Sequence, residues 1–91
     1  MSKSGTALIT GASSGIGATY AKRLAARGYD LILVARDQAR LTTLADALAQ
    51  QHAVKVTVMK ADLTHEQDLK RVESALANNP EITLLLNNAG M

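Results

Sequence analysis

The chain reads as an α/β protein, a parallel sheet with helices on both faces, folded as one unit. Apolar runs begin at Thr6, Leu31, Val54 and Ile82, and so recur 25, 23 and 28 residues apart. That interval is the length of a strand plus a crossover helix. Between the runs the apolar spacing lengthens to a helical period. Right-handed crossovers between apolar strands then place helices on both faces of the sheet. The residues themselves do not repeat, which excludes a solenoid, and no linker or low-complexity segment interrupts the alternation.

The first strand is Thr6-Ala7-Leu8-Ile9-Thr10, short and apolar throughout, as suits a strand buried on both faces. From Ile16 a helical stripe follows, formed by Ile16, Tyr20 and Leu24 with Ala21 and Ala25, and Gly28 stops it. Leu31 to Ala35 is the second strand. Asp37 is placed to cap a helix whose stripe is Leu41, Leu44, Ala45 and Leu48. Val54 to Val58 alternates apolar with polar, which predicts an edge strand. Thr64 and Gln67 have the spacing of a capping box for a third helix carrying Leu69, Val72 and Leu76. Asn78-Asn79-Pro80 breaks that helix, and Ile82 to Leu86 is the fourth strand.

Composition removes several classes of function. The absence of cysteine excludes a disulfide scaffold, a thiolate metal site and a cysteine nucleophile, and agrees with the cytoplasm. A net charge of +2 and only two aromatic residues, both tyrosines, argue against nucleic-acid binding. No apolar run approaches the length of a membrane span, and the first residues do not form a signal peptide.

The chemistry is concentrated in Thr10-Gly11-Ala12-Ser13-Ser14-Gly15-Ile16-Gly17, between the first strand and the first helix. Glycines there allow a tight turn and the close approach of a ligand, and the following helix offers unpaired N–H groups and a positive dipole end. This combination predicts a phosphate site, against the plainer alternative of an unliganded turn. It is not a P-loop, because Ala18 stands where the lysine is required, before Thr19, and without that lysine the β- and γ-phosphates have no counter-charge. Gly11 to Gly15 also fits the G-x-S-x-G elbow of serine hydrolases, with Ser13 as nucleophile. His52 and His65, however, complete no clear triad with it, and both read as surface residues.

Thr-Gly-x-x-x-Gly-Ile-Gly at 10–17, Asp62 after the third strand and Asn87-Asn88-Ala89-Gly90 after the fourth resemble the short-chain dehydrogenase/reductase family, in order and over the whole chain. The resemblance implies a Rossmann-type fold with strand order 3-2-1-4 and a dinucleotide at the carboxyl ends of the strands. It implies that Gly11, Gly15, Ile16 and Gly17 hold the pyrophosphate. Asp62 and the backbone of Leu63 would meet the adenine, the carboxylate accepting from its exocyclic amine. Asn88, Ala89 and Gly90, with Asn87, would line the ribose side. Outside the resemblance, Asp62 is simply a turn residue.

The second strand ends in Ala35-Arg36, where an NAD site places an acid that accepts from the ribose hydroxyls. A guanidinium instead favours a 2′-phosphate, so NADP is expected over NAD. Ser13 or Ser14 adds a hydroxyl contact to that phosphate, or else only bonds within the turn. Asp37 is left to its capping role.

The family reduces carbonyls with a tyrosine acid/base followed by lysine four places on, after an upstream serine. Tyr20 and Tyr29 are followed at that spacing by Leu24 and Leu33, so both read as structural and no catalytic residue is assigned. The chain is therefore expected to be the adenosine half of an NADP-dependent oxidoreductase, ending after the fourth strand and inactive alone. A stand-alone nucleotide-binding module is the alternative. An open edge at Ile82 to Leu86 predicts self-association through residues 82–91.

Overall fold

The computed structural model describes residues 5–12 and 15–87. In chain order the elements are β1 (Thr6–Thr10), α1 (Gly15–Ala26), β2 (Asp30–Ala35), α2 (Gln38–His52), β3 (Val56–Lys60), α3 (Glu66–Asn78) and β4 (Ile82–Asn87). All strand pairs are parallel and the order is β3-β2-β1-β4, the Rossmann-type arrangement. The chain winds outward from β1 to β3, and α3 then carries it back across the sheet to the other side of β1. This reversal opens a crevice at the carboxyl ends of β1 and β4, where such folds bind ligands.

Strand alternation divides the core. Ala7, Ile9, Leu31, Leu33 and Ala35 meet Leu41, Ala45 and Leu48 of α2 and Ala21, Leu24 and Ala25 of α1. The alternate residues Leu8 and Val34 face Val72 of α3, with Ile32, Met59 and Ile82 beside them. Every residue of β1 is buried, as expected for a strand enclosed on both faces. On the α3 side one helix covers four strands, and Leu85 is left exposed.

The helix ends follow local chemistry. Gly28 has φ +89°, its N–H donates to the Ala25 carbonyl, and the Tyr29 N–H donates to the Leu24 carbonyl. These are the two bonds of a Schellman stop. Asp37 caps α2 as predicted, Oδ1 accepting from the Arg40 N–H at 3.1 Å. The other end of α2 is closed by Ala53 at φ +54°. A left-handed alanine costs about 1 kcal/mol, and glycine's extra unfolded-state entropy returns roughly half of that. Ala53→Gly is therefore expected to raise stability by about 0.5 kcal/mol, read as a higher urea midpoint.

Four expectations are corrected. The third strand begins at Val56, because its register with Leu31 starts there; Lys55 precedes the strand, its N–H bonded to the Asp30 carboxylate. Ile16 and Tyr20 are 60% and 46% exposed and lie outside the buried face of α1, which is Gly17, Ala21, Leu24 and Ala25. Thr64 does not cap α3: its N–H and hydroxyl both donate to Asp62, and the helix starts at Glu66 after His65. Leu69 is 40% exposed, so Val72 anchors that helix with half-buried Leu76.

Candidate functional site

Three glycines shape the β1–α1 turn, each for a different reason. Gly11 has φ +64°, a tight-turn conformation that a side chain disfavours. At Gly17 an added Cβ would run into the Gly11 carbonyl oxygen and lie 2.9 Å from the Ala12 Cα, so its hydrogen lets α1 approach β1. At Gly15 an added Cβ would meet nothing within 4 Å. Gly15 therefore faces open space at the first turn of α1, where N–H groups have no intrahelical partner. That is the form of a cradle for an anion. Ile16 beside it is solvent-facing. Ser13, Ser14, Asn88, Ala89 and Gly90 lie outside the described residues.

A groove of about 430 Å³ opens beyond the carboxyl ends of β2 and β3, lined by Arg36, Lys60, Ala61, Asp62, His65, Asp68 and Arg71. It brings together two residues expected to meet the adenosine end, Arg36 and Asp62. Arg36 is exposed and makes no ion pair among the described residues. Its acidic neighbour Asp37 is occupied, pairing with Arg40 Nε at 3.4 Å.

Asp62 is held on both sides of its peptide. Oδ1 accepts from the Thr64 N–H at 3.0 Å and the Thr64 hydroxyl at 2.6 Å. Both bonds favour the ionised form, and with His65 and Arg36 nearby they hold the carboxyl below its usual value. Oδ2 has no partner among the described residues. An ionised carboxylate with one oxygen spare is an acceptor for an amine, so the turn role and the binding role coexist in one side chain. Leu63, partly buried, packs against the α3-side core cluster of Leu8, Val34, Ala61 and Val72.

Lys60, Asp68 and Arg71 were not singled out in the sequence, and His65 was weighed there only as a triad partner for Ser13. Arg71 at three residues from Asp68 was readable as a helical ion pair, which it forms at 3.2 Å. Its convergence with Arg36 was not, because that depends on α3 crossing behind β3.

The chain matches the short chain dehydrogenase family over residues 5–91 and belongs to that family. A bulky-bulky ketone specific alcohol dehydrogenase from Comamonas testosteroni is 52% identical, with a TM-score of 0.96 over 99% of this chain and 36% of that one. A short-chain dehydrogenase from Sphingobium yanoikuyae, solved with NADPH, is 56% identical, with a TM-score of 0.94 over 96% of this chain and 34% of that one. Among curated relatives, a very-long-chain 3-oxoacyl-CoA reductase from Scheffersomyces stipitis is 42% identical over 86 residues, which are 92% of this chain and 25% of the relative. The chain thus spans about a quarter of the curated relatives' length and about a third of the solved chains'. These similar proteins are oxidoreductases, and no helix among the described residues is long and apolar enough to cross a membrane.

Proposed function

We propose that residues 1–91 bind the adenosine and pyrophosphate portion of NADPH for an oxidoreductase that transfers hydride between nicotinamide and a carbonyl or alcohol carbon. The observation that carries this reading is Arg36. It follows Ala35, where an NAD site would place an acid, and its guanidinium has no ion-pair partner among the described residues. Such a cation suits a 2′-phosphate through charge-assisted bonds. NADPH in the 56% identical relative supports the same choice.

The residues divide the work by position. Gly15 leaves room for the pyrophosphate, and the first turn of α1 directs unpaired N–H groups toward it. Arg36 neutralises the 2′-phosphate, and Asp62 Oδ2 accepts from the adenine amine. Ser13 or Ser14 adds a hydroxyl near the phosphate, the Leu63 backbone borders the adenine, and Asn88, Ala89 and Gly90 line the ribose side. The bound nicotinamide supplies or takes the hydride. Residues 1–91 contain no tyrosine–lysine pair at the family spacing, so by themselves they bind without turnover. The cysteine-free composition supports a cytoplasmic setting.

Calorimetric titration with NADPH and NADH tests the reading, with tighter binding of NADPH by at least tenfold expected. Equal affinities would overturn the phosphate assignment. Strand β4, at the sheet edge with Leu85 46% exposed, supports self-association through residues 82–91. Light scattering of residues 1–91 at concentrations on the order of tens of micromolar should show a dimer or larger; a monodisperse monomer would refute it.

A further inference from the structure

We propose that Asp68 and Arg71 form a latch that positions Asp62 and so sets the protein's selectivity for adenine over other purines. The inference rests on the reading of Asp62 as the acceptor of the adenine amine.

The strand exit is tied down at three successive residues. The Ala61 N–H donates to the Ala35 carbonyl at 3.0 Å, joining the exit to β2. The Asp62 N–H donates to Asp68 Oδ2 at 2.9 Å, joining it to α3. Arg71 Nη1 reaches the Lys60 carbonyl at 3.5 Å and Asp68 Oδ1 at 3.2 Å. Both oxygens of Asp68 are therefore engaged, one by the loop and one by the cation that fixes its rotamer. The Asp62 N–H and, more weakly, Arg71 hold the Asp68 carboxyl below its usual value, so the acceptor stays ionised near neutral pH.

This tether controls where Asp62 Oδ2 sits. The Thr64 bonds orient the Asp62 side chain and the His65 N–H donates to the Asp62 carbonyl at 2.9 Å, both within the turn that leads into α3. Asp68, by contrast, holds the Asp62 N–H from within the helix itself. A hydrogen bond to an amine tolerates only a few tenths of an ångström before it weakens. Releasing the peptide costs the amine contact, while the phosphate contacts at Arg36 and Gly15 on other elements stay in place. Asp68 is thus a positioning residue: its loss lowers discrimination between bases more than affinity for the rest of the dinucleotide.

The test titrates the full protein with NADP and with its hypoxanthine analogue, which carries a carbonyl in place of the exocyclic amine. A preference for NADP of about tenfold is expected, the worth of one hydrogen bond to a charged group. Asp68→Ala should reduce it to about twofold with the analogue's affinity nearly unchanged. Asp68→Asn, whose amide oxygen can still accept from the Asp62 N–H but whose NH2 cannot accept from Arg71, should restore it in part, to about the value of Arg71→Ala. Arg71→Ala, which frees the Asp68 rotamer, should give an intermediate value and serves if Asp68→Ala does not fold. An equal loss of affinity for both ligands in Asp68→Ala would make the residue merely structural and overturn the latch. So would unchanged discrimination in either variant alongside lost discrimination in Asp62→Ala, leaving the adenine contact standing. Unchanged discrimination in Asp62→Ala would overturn the adenine contact itself and the latch with it.

Discussion

Gly17→Ala is expected to lower stability by about 2 kcal/mol, even though alanine is the better helix former by about 1 kcal/mol. The sign is decided by what the new methyl meets. Its neighbours are the Gly11 carbonyl oxygen, the Gly11 carbonyl carbon at 3.0 Å and the Ala12 Cα at 2.9 Å, all backbone. Backbone cannot rotate away as a flexible side chain would. Ala12 is fully buried and its N–H is bonded to the Val34 carbonyl at 3.2 Å, so the turn cannot retreat toward β2. Helix α1 must move off β1 instead, opening the core at Ala21 and Leu24. Overpacking of this kind costs about 3 kcal/mol, which exceeds the gain in propensity. For a chain this short the net loss lowers the melting temperature by roughly 10 °C, measurable by circular dichroism.

Gly15→Ala, two residues away, is expected to separate folding from binding. Nothing lies within 4 Å of its added Cβ, and its backbone is outside the left-handed region. Stability should hold or rise by about 0.5 kcal/mol, while NADPH affinity falls by at least about tenfold as the methyl occupies the cradle. Equal affinity in Gly15→Ala and the unmodified chain would remove the pyrophosphate from this turn.

The contrast also shows why the turn was legible in the sequence and other parts were not. A tight turn, an open cradle and a close helix contact each require a missing side chain, and glycine is the residue that meets all three. Strand order was similarly accessible, since the alternation at Val56, Thr57 and Val58 marks an edge and the motif order supplies the rest. Thr64 was misread because its hydroxyl has two nearby uses, and the Asp62 carboxylate two residues back competes with the helix N-terminus. Ile16 and Tyr20 share the helical period with Leu24, but a period identifies a face without showing how much of it the sheet covers. The shift between Thr6↔Ile82 and Ala7↔Leu84 had no sequence signal, because it arises from fitting β4 beside β1. The groove cations escaped for a related reason: Lys60 and Arg71 approach Arg36 only after three crossovers have been stacked.

Arg36→Glu should invert the cofactor preference, shifting the NADPH-to-NADH affinity ratio by about a thousandfold. Loss of a charge-assisted phosphate bond is worth about 2 kcal/mol, or roughly thirtyfold. A carboxylate at the same position repels the dianion and accepts from the free ribose hydroxyls of NADH, which accounts for the remaining factor. Arg36→Ala removes only the first contribution and should shift the ratio by roughly thirtyfold, so the pair separates lost attraction from added repulsion. Neighbouring charges cannot readily compensate. Arg40 is held by Asp37 and Arg71 by Asp68, each in an ion pair within its own helical turn. Lys60 is different: it lines the same groove and makes no ion pair among the described residues. Undiminished NADPH preference in Arg36→Glu would therefore move the phosphate to Lys60, and Lys60→Ala would then be the variant that loses it.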